Sequence, residues 1–588
     1  MSAAKLLNWR IVDAQNDGVL ADIVKQHVGE FDEIHVSAAV SNLAKLTARR
    51  GTRTLRKNQR DSVLLLLEER LRGFRRNIRA RSVANLLWSY AKLGYDGNHS
   101  IVHYLSDQVP RVVDDFKPQH VANTVWAWAT MRHKPSAAAL AALERRMMLA
   151  CVDDFNPQHV ANTVWAWATM RHQPSARALA ALERRMLACV DDFKPQELAN
   201  TVWAWATMRH QPSAATLAAL ERRMLACVDD FKPQELANTV WAWATMRHQP
   251  SAAALAALER RMLACVDDFK PQELANTVWA WATMRHQPSA AALAALERRM
   301  LACVDDFKPQ ELANTVWAWA TMRHQPSAAA LAALERRMLA CVDDFKPQDV
   351  ANTVWAWATM RHQPSADALA ALERRMLACV DDFKPQDVAN TVWAVAMLTN
   401  NIEGDKITIG QNVLDRLLHQ LEAIELSTLD EQAFQQSLQA HHLLGDRFKP
   451  SVALLDQARE AWAKSLNSSS SRSSLEKEVA ACLDRLSITY DVEALTEDGM
   501  HRIDMLVRGR IDDGGERLLA IECDGPVHFF RASDGTYRID GSTYARNCHL
   551  RKLGLDVLCV ACHEWTHLKR DERDAYLSRE LQERGIVV

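Results

Sequence analysis

A repeated 38-residue string constrains this chain more than any other feature. DDFKPQELANTVWAWATMRHQPSAAALAALERRMLACV begins at Asp229 and returns at Asp267, 38 residues later. Full copies start at Asp114, Asp153, Asp191, Asp229, Asp267, Asp305 and Asp343; the first is one residue longer because of Met148. An eighth copy starts at Asp381 and departs from the pattern after Val395. Degenerate copies flank the array. Val83-Ala84-Asn85 precedes Val121-Ala122-Asn123 by 38 residues, Val40-Ser41-Asn42-Leu43 is a weaker echo, and another lies around Ala433 to Leu444. A fixed period of this length means a stack of identical units, each burying a face on its neighbours, with atypical ends. At 588 residues the chain is too long for one hydrophobic core.

Each unit reads as two helices. In the copy from Asp191, Pro195 suits a first helical turn and Glu197 complements the positive helix start. Leu198, Val202 and Trp205 form one apolar stripe, and Ala199, Trp203 and Ala206 a parallel one. Both tryptophans read as core packing rather than stacking platforms. Met208-Arg209-His210-Gln211 is the turn, Pro212-Ser213 opens the second helix, and Leu217, Leu220 and Met224 are its core stripe. Cys151, Cys189, Cys227, Cys265, Cys303, Cys341 and Cys379 occupy one repeat position beside apolar residues, as buried small side chains in a reducing compartment would. The expectation is a mainly α chain, a right-handed α-solenoid of two-helix 38-residue repeats.

Glu197, Asn200 and Thr201 fall on one face of the first helix, so repetition makes a polar ladder. The seventh position of successive units varies: His120, His159, Glu197, Glu235, Glu273, Glu311, Asp349 and Asp387. The neighbouring asparagine is fixed: Asn123, Asn162, Asn200, Asn238, Asn276, Asn314, Asn352 and Asn390. A varied position beside a fixed one suits a reader of one base per repeat. It equally suits a first-turn acid that helps the helix start. Net charge is −2, from 71 basic and 73 acidic residues, which counts against purely electrostatic nucleic-acid binding.

A 38-residue two-helix unit with a Pro-initiated first helix and a Trp-Ala-Trp-Ala core resembles octotricopeptide repeats, over roughly residues 74 to 400. That resemblance implies single-stranded RNA binding in an organelle, mitochondrion or chloroplast, in transcript stabilisation, processing, splicing or translation. Other RNA-processing proteins would be partners.

Asn467 to Ser474 reads as a serine-rich linker, with turns later at Glu497-Asp498-Gly499 and Asp512-Asp513-Gly514-Gly515. Beyond the linker the pattern predicts a helix over Leu475–Leu486 and strands over Ser487–Glu493, His501–Val507 and Leu518–Cys523. A helix over Ser542–Leu553, a strand over Val557–Ala561 and a helix over Arg570–Arg584 follow. Ile521-Glu522-Cys523-Asp524-Gly525-Pro526-Val527-His528-Phe529, then Arg551-Lys552-Leu553-Gly554 and Glu564-Trp565, resemble the RAP domain. It is similar to a small α/β restriction-endonuclease fold. In a nuclease of that fold Asp504 and Glu522 would hold Mg²⁺, with Glu478 as a helical acid and His528 as acid or base. Asp524, however, stands where such enzymes carry lysine. The alternative is that Asp504, Asp524 and His528 form a satisfied polar cluster or an RNA-contact surface.

The layout is therefore a helical cap with a degenerate repeat at 1–73, a degenerate repeat at 74–113 and the near-identical array at 114–400. A second cap at 401–466, the linker at 467–474 and the RAP-like domain at 475–588 follow. The leading expectation is a sequence-selective single-stranded RNA-binding protein that needs no cofactor for binding. An RNA endonuclease guided by the array, and a protein-interaction solenoid, remain alternatives. Cys559-Val-Ala-Cys562-His563 matches the haem c attachment string but sits in a strand-like run, so no haem is expected. No run is long and apolar enough to span a membrane, and Met1 to Arg10 is not a secretory signal, which suggests a soluble intracellular protein.

Overall fold

A computed structural model describes residues 3–49, 53–74, 78–399, 409–468, 472–510, 516–532 and 534–586. They fall into two compact units, Met1–Cys265 and Val266–Val588.

The first unit shows how one repeat closes. Phe193 is buried, and Lys194 takes an extended conformation before the helix Pro195–Thr207. Glu197 Oε2 accepts from the Lys194 N–H at 2.9 Å, satisfying one of the donors a helix start leaves open. At the other end Arg209 adopts φ 55°, with its N–H on Ala206 O and the His210 N–H on Trp205 O. This pair of bonds is the Schellman closure, which glycine normally serves. The imidazole of His210 lies edge-on to Trp205 at 5.8 Å between centroids, the apolar contact that accompanies such a closure. Ser213 then caps the second helix, Ala214–Cys227, through the Thr216 N–H. Arg223 Nε donates to Phe193 O at 2.8 Å, tying the second helix back to the entry of the first. Glu183 of the preceding repeat accepts from the Ser213 N–H at 2.9 Å and so links consecutive repeats.

Within this unit the first helices Pro118–Thr130, Pro157–Thr169, Pro195–Thr207 and Pro233–Thr245 pack side by side along their lengths, while the second helices touch more sparingly. The degenerate copy is the helix Ala80–Lys92, and the weaker echo lies within Glu33–Ala48.

The second unit continues the pattern through Pro271–Thr283, Pro309–Thr321, Pro347–Met360 and Pro385–Thr399. The echo expected near Ala433 is the helix Glu431–Leu444, which packs on Pro385–Thr399 as a further first helix. The helix Val452–Ser468 runs into the expected linker, and Ser473 at its far end already caps the helix Ser474–Arg485. Residues 469–471 between them, and the turn expected at Asp512–Gly515, lie outside the described residues.

The C-terminal domain carries strands β2 (Tyr490–Leu495), β3 (Arg502–Arg510), β4 (Glu516–Asp524) and β7 (Asp556–Ala561). They order as β2-β3-β4-β7, antiparallel except for the parallel β4–β7 pair. Cys559 to Ala561 of the haem-like string lie in β7, whereas Cys562 and His563 open the short helix Cys562–Trp565, so the strand expected there covers only the first part of the string. Side chains alternate between the two faces. Met505, Val507, Leu519 and Ile521 pack with Leu483, Leu577 and Leu581 of the helices Ser474–Arg485 and Arg570–Glu583. Leu506 and Ala520 pack on Leu550 of the helix Gly541–Lys552. Asp504 and Glu522 share that second face. A second sheet was not expected. β1 (His324–Gln325) is a repeat turn drawn into parallel pairing with β5 (Phe529–Ala532), which pairs with β6 (Tyr537–Ile539).

Candidate nucleic-acid interface

Beyond its first-turn residues, the helix Pro195–Thr207 keeps Asn200, Trp203 and Thr207 at least partly exposed. With Gln196 they fall at i, i+4, i+7 and i+11, one stripe of the helix. Trp205 is fully buried but Trp203 is only half-buried, which corrects the expectation that both tryptophans are core. The reason is rotational: two residues advance a helix by about 200°, so Trp203 and Trp205 face nearly opposite ways. Thr201 also leaves the expected polar face; it is buried, with Oγ1 on Glu197 O at 2.8 Å.

The pairing of a half-buried tryptophan with an asparagine recurs. In the first unit it is Asn85 with Trp88, Asn123 with Trp126, Asn162 with Trp165, Asn200 with Trp203 and Asn238 with Trp241. In the second it is Asn276 with Trp279, Asn314 with Trp317 and Asn352 with Trp355. Lys92 Nζ lies 4.7 Å from the Trp126 ring centre and 5.7 Å from that of Trp88, so these two ring faces accept a cation between neighbouring repeats.

The varied seventh position is placed differently. All eight side chains turn back to the backbone N–H three residues earlier. His120 and His159 do so through Nδ1 at 3.2 and 3.3 Å, and Glu197, Glu235, Glu273 and Glu311 at 2.8–2.9 Å. Asp349 and Asp387 do so at 2.9 and 3.1 Å. The geometry is that of a first-turn cap. The shorter Asp349 and Asp387 are also drawn inward, and burial raises both carboxyls above the usual range.

Charge within a repeat sorts by partner. Arg222 pairs with Asp191 at 3.3 Å, Arg223 holds Phe193 O, and Glu221 accepts from the Ser251 N–H. Lys194 and Arg209 are left exposed at the two ends of the first helix. The turn arginine is the residue that sequence reasoning missed. Arg132, Arg171, Arg209 and Arg247 in the first unit, and Arg285 in the second, are all left-handed and exposed. Left-handed backbone disfavours any residue with a Cβ, so an arginine kept there in each repeat was the available signal.

Two turn arginines of the second unit have partners in the C-terminal domain. Arg323 Nη1 donates to Asp540 Oδ2 at 2.6 Å, and the Arg361 guanidinium stacks 3.8 Å over the Tyr544 ring. Asp540 also caps the helix Gly541–Lys552 through the Thr543 N–H at 2.7 Å. The C-terminal domain thus offers the repeat turns an anionic oxygen and an aromatic face. Gly541 comes so close to Ala358 O that a Cβ there would sit 2.3 Å away. Beside this contact a cavity of about 200 Å³ is lined by Trp393, Trp462, Met500, His501, His528 and Arg546, among others.

The expected acidic cluster does assemble, around an arginine. Arg546 Nη1 lies 3.1 Å from Glu522 Oε2, and Nη2 lies 2.9 Å from Asp524 Oδ1. Asp504 Oδ2 accepts from the Cys523 N–H at 2.7 Å. Burial, with the neighbouring Asp504, Asp524 and Glu476, pushes Glu522 up to about 8 against the pull of Arg546. Burial also raises Asp504, to about 6. His528 reaches Thr543 Oγ1 at 2.8 Å and stands 3.6 Å from Asp524. Glu478 is not part of this group; it holds Trp565 Nε1 and Arg573, and Glu476 is the helical acid whose charge acts on Asp504 and Glu522. Arg546 stands between the acids where a Mg²⁺ ion would need to stand, and its charge would repel one. As arranged, these residues do not fit that metal.

Residues 521–580 match the RAP domain family. Residues 59–251 match the family described as RNA-editing substrate-binding complex 6 protein. Four segments, 265–278, 303–316, 341–354 and 379–392, match a family of unknown function, DUF1601. Among curated proteins no match is found. A crystal structure of Kap121p bound to Pho4p is 12% identical over 79% of this chain and 51% of that chain, at a TM-score of 0.25. Kap121p bound to Nup53p is 13% identical over 100% and 66%, at 0.23. The chain spans about half to two thirds of the length of those structures, and TM-scores this low carry no argument.

Proposed function

We propose that this protein binds single-stranded RNA along the exposed stripe of its first helices and acts in the RNA metabolism of an organelle. Bases stack on the half-buried tryptophans and meet the adjacent asparagines, while the left-handed arginines hold phosphates. The observation that carries this reading is the pairing of one half-buried Trp with one Asn in repeat after repeat. Stacking on aromatic side chains is the sequence-tolerant part of single-strand recognition, and amides read base edges. Arg323 on Asp540 supports the phosphate role, because a carboxylate and a phosphate both offer guanidinium an anionic oxygen. The matches to a RAP domain and to a family named for an RNA-editing substrate-binding complex support RNA as the ligand and other proteins as partners.

Mitochondrion or chloroplast is the compartment that suits this reading. Among the described residues no helix is long and apolar enough to cross a membrane. Selection from a randomised RNA pool, followed by crosslinking and sequencing of bound RNA in cells, tests both ligand and compartment. Enrichment of a short single-stranded motif in organelle transcripts is the expected result; binding that ignores sequence, or crosslinks to no RNA, contradicts it.

A further inference from the structure

We infer that His442, Asp498 and His549 form a binding site for a divalent transition-metal ion that fastens the helix Glu431–Leu444 to the C-terminal domain. One ligand atom from each residue lies within 4.8 Å of the other two. The three come from separate places: that helix, the turn between β2 and β3, and the helix Gly541–Lys552. A tetrahedral zinc ion with bonds of about 2.0–2.1 Å holds its ligands roughly 3.3 Å apart, so small side-chain rotations complete the site.

The surroundings orient the donors as metal sites require. Asp498 Oδ1 is engaged by Thr496 Oγ1 at 2.7 Å and by the Met500 N–H at 3.1 Å. That leaves Oδ2 toward His549 Nε2, at 2.9 Å. The other nitrogen of His549, Nδ1, lies 3.1 Å from His501 Nε2. With the metal on His549 Nε2, the imidazole proton sits on Nδ1 and is donated to His501 Nε2, so His501 is the positioning residue. The His442 ring centre is 5.6 Å from that of His549. Arg546, the strongest nearby cation, is held by Glu522 and Asp524 and not by the three ligands. Two imidazoles and one carboxylate suit zinc and its first-row neighbours better than magnesium or calcium. Three protein ligands leave one position for water, and His442 and His549 both line the 200 Å³ cavity.

The test uses the full-length protein stripped with chelator and titrated with Co²⁺, then with competing Zn²⁺. One equivalent of Co²⁺ should give the visible absorption of a tetrahedral ion, displaced by Zn²⁺, and Zn²⁺ should raise Tm. His442→Ala and Asp498→Asn, both at exposed positions, should each weaken binding at least tenfold and remove the Tm increment. Metal binding unchanged in these variants, no stoichiometric binding by the wild type, or a thiolate-to-metal charge-transfer band placing the ion on cysteines would each overturn the proposal.

Discussion

Arg323 Nη1 lies 2.6 Å from Asp540 Oδ2, joining a repeat turn to the C-terminal domain across 217 residues of chain. The carboxylate is buried and the guanidinium about one-third exposed. β1 pairs with β5 immediately beside it, with the Arg531 N–H on Arg323 O at 3.0 Å. A turn arginine repeated through the array is here put to a structural use.

Removing one partner leaves a buried charge unmatched. Arg323→Ala should therefore cost about 2–4 kcal/mol in the docking of the C-terminal domain, and Asp540→Ala somewhat more because the helix cap goes with it. A double-mutant cycle read by denaturation should return a coupling of roughly 1–3 kcal/mol. Additive losses would show that the pair is incidental.

The exposed turn arginines make a different prediction. Arg209→Gly relieves the left-handed backbone, so stability should hold or rise by up to about 1 kcal/mol. RNA affinity should fall, and the slope of log K against log salt should shrink by roughly one per arginine replaced. An unchanged slope after three such replacements would remove phosphate from their role.

The repeat, its two helices, its turn and the order of the four main C-terminal strands and their three helices were legible in the sequence, because period, proline, serine and apolar spacing act locally; β5, β6 and the short helix Cys562–Trp565 were not. The sidedness of Trp203 was not, since two overlapping apolar stripes fit the same letters and only packing between first helices decides which is covered. The seventh position looked informative because it varies; His120, Glu197 and Asp349 differ in type yet each reaches the same N–H. β1 was invisible because His324 and Gln325 pair only once β5 is brought to them. Arg546 was missed for a similar reason: it lies 22 residues from Asp524, and only the fold places it between the acids.

Stability should carry the signature of Glu522. Its carboxyl is pushed up to about 8 by burial, so the folded protein holds a proton there that the unfolded chain releases near 4.5. The stabilising contribution is whole below that unfolded value and is lost as pH rises toward 8. His501, lowered to about 4 by burial, acts in the opposite sense, but only below about 6.5. Between pH 6.5 and 8 the denaturation midpoint should therefore fall, and Glu522→Gln should flatten that fall. An equal slope in wild type and variant would contradict the assignment.

The tryptophans divide by role. Trp205→Ala empties a fully buried site and should destabilise by about 3–5 kcal/mol. Trp203→Ala should cost far less stability, which thermal unfolding of the two variants side by side will show. Equal losses would return Trp203 to the core.

The most direct test is the affinity of the triple variant Trp165→Ala, Trp203→Ala and Trp241→Ala for single-stranded RNA, measured by anisotropy at fixed salt on protein verified as folded by circular dichroism. Stacking at about 1–3 kcal/mol per base predicts a loss of at least a hundredfold. Affinity within threefold of wild type would contradict a tryptophan-lined RNA path on the first helices.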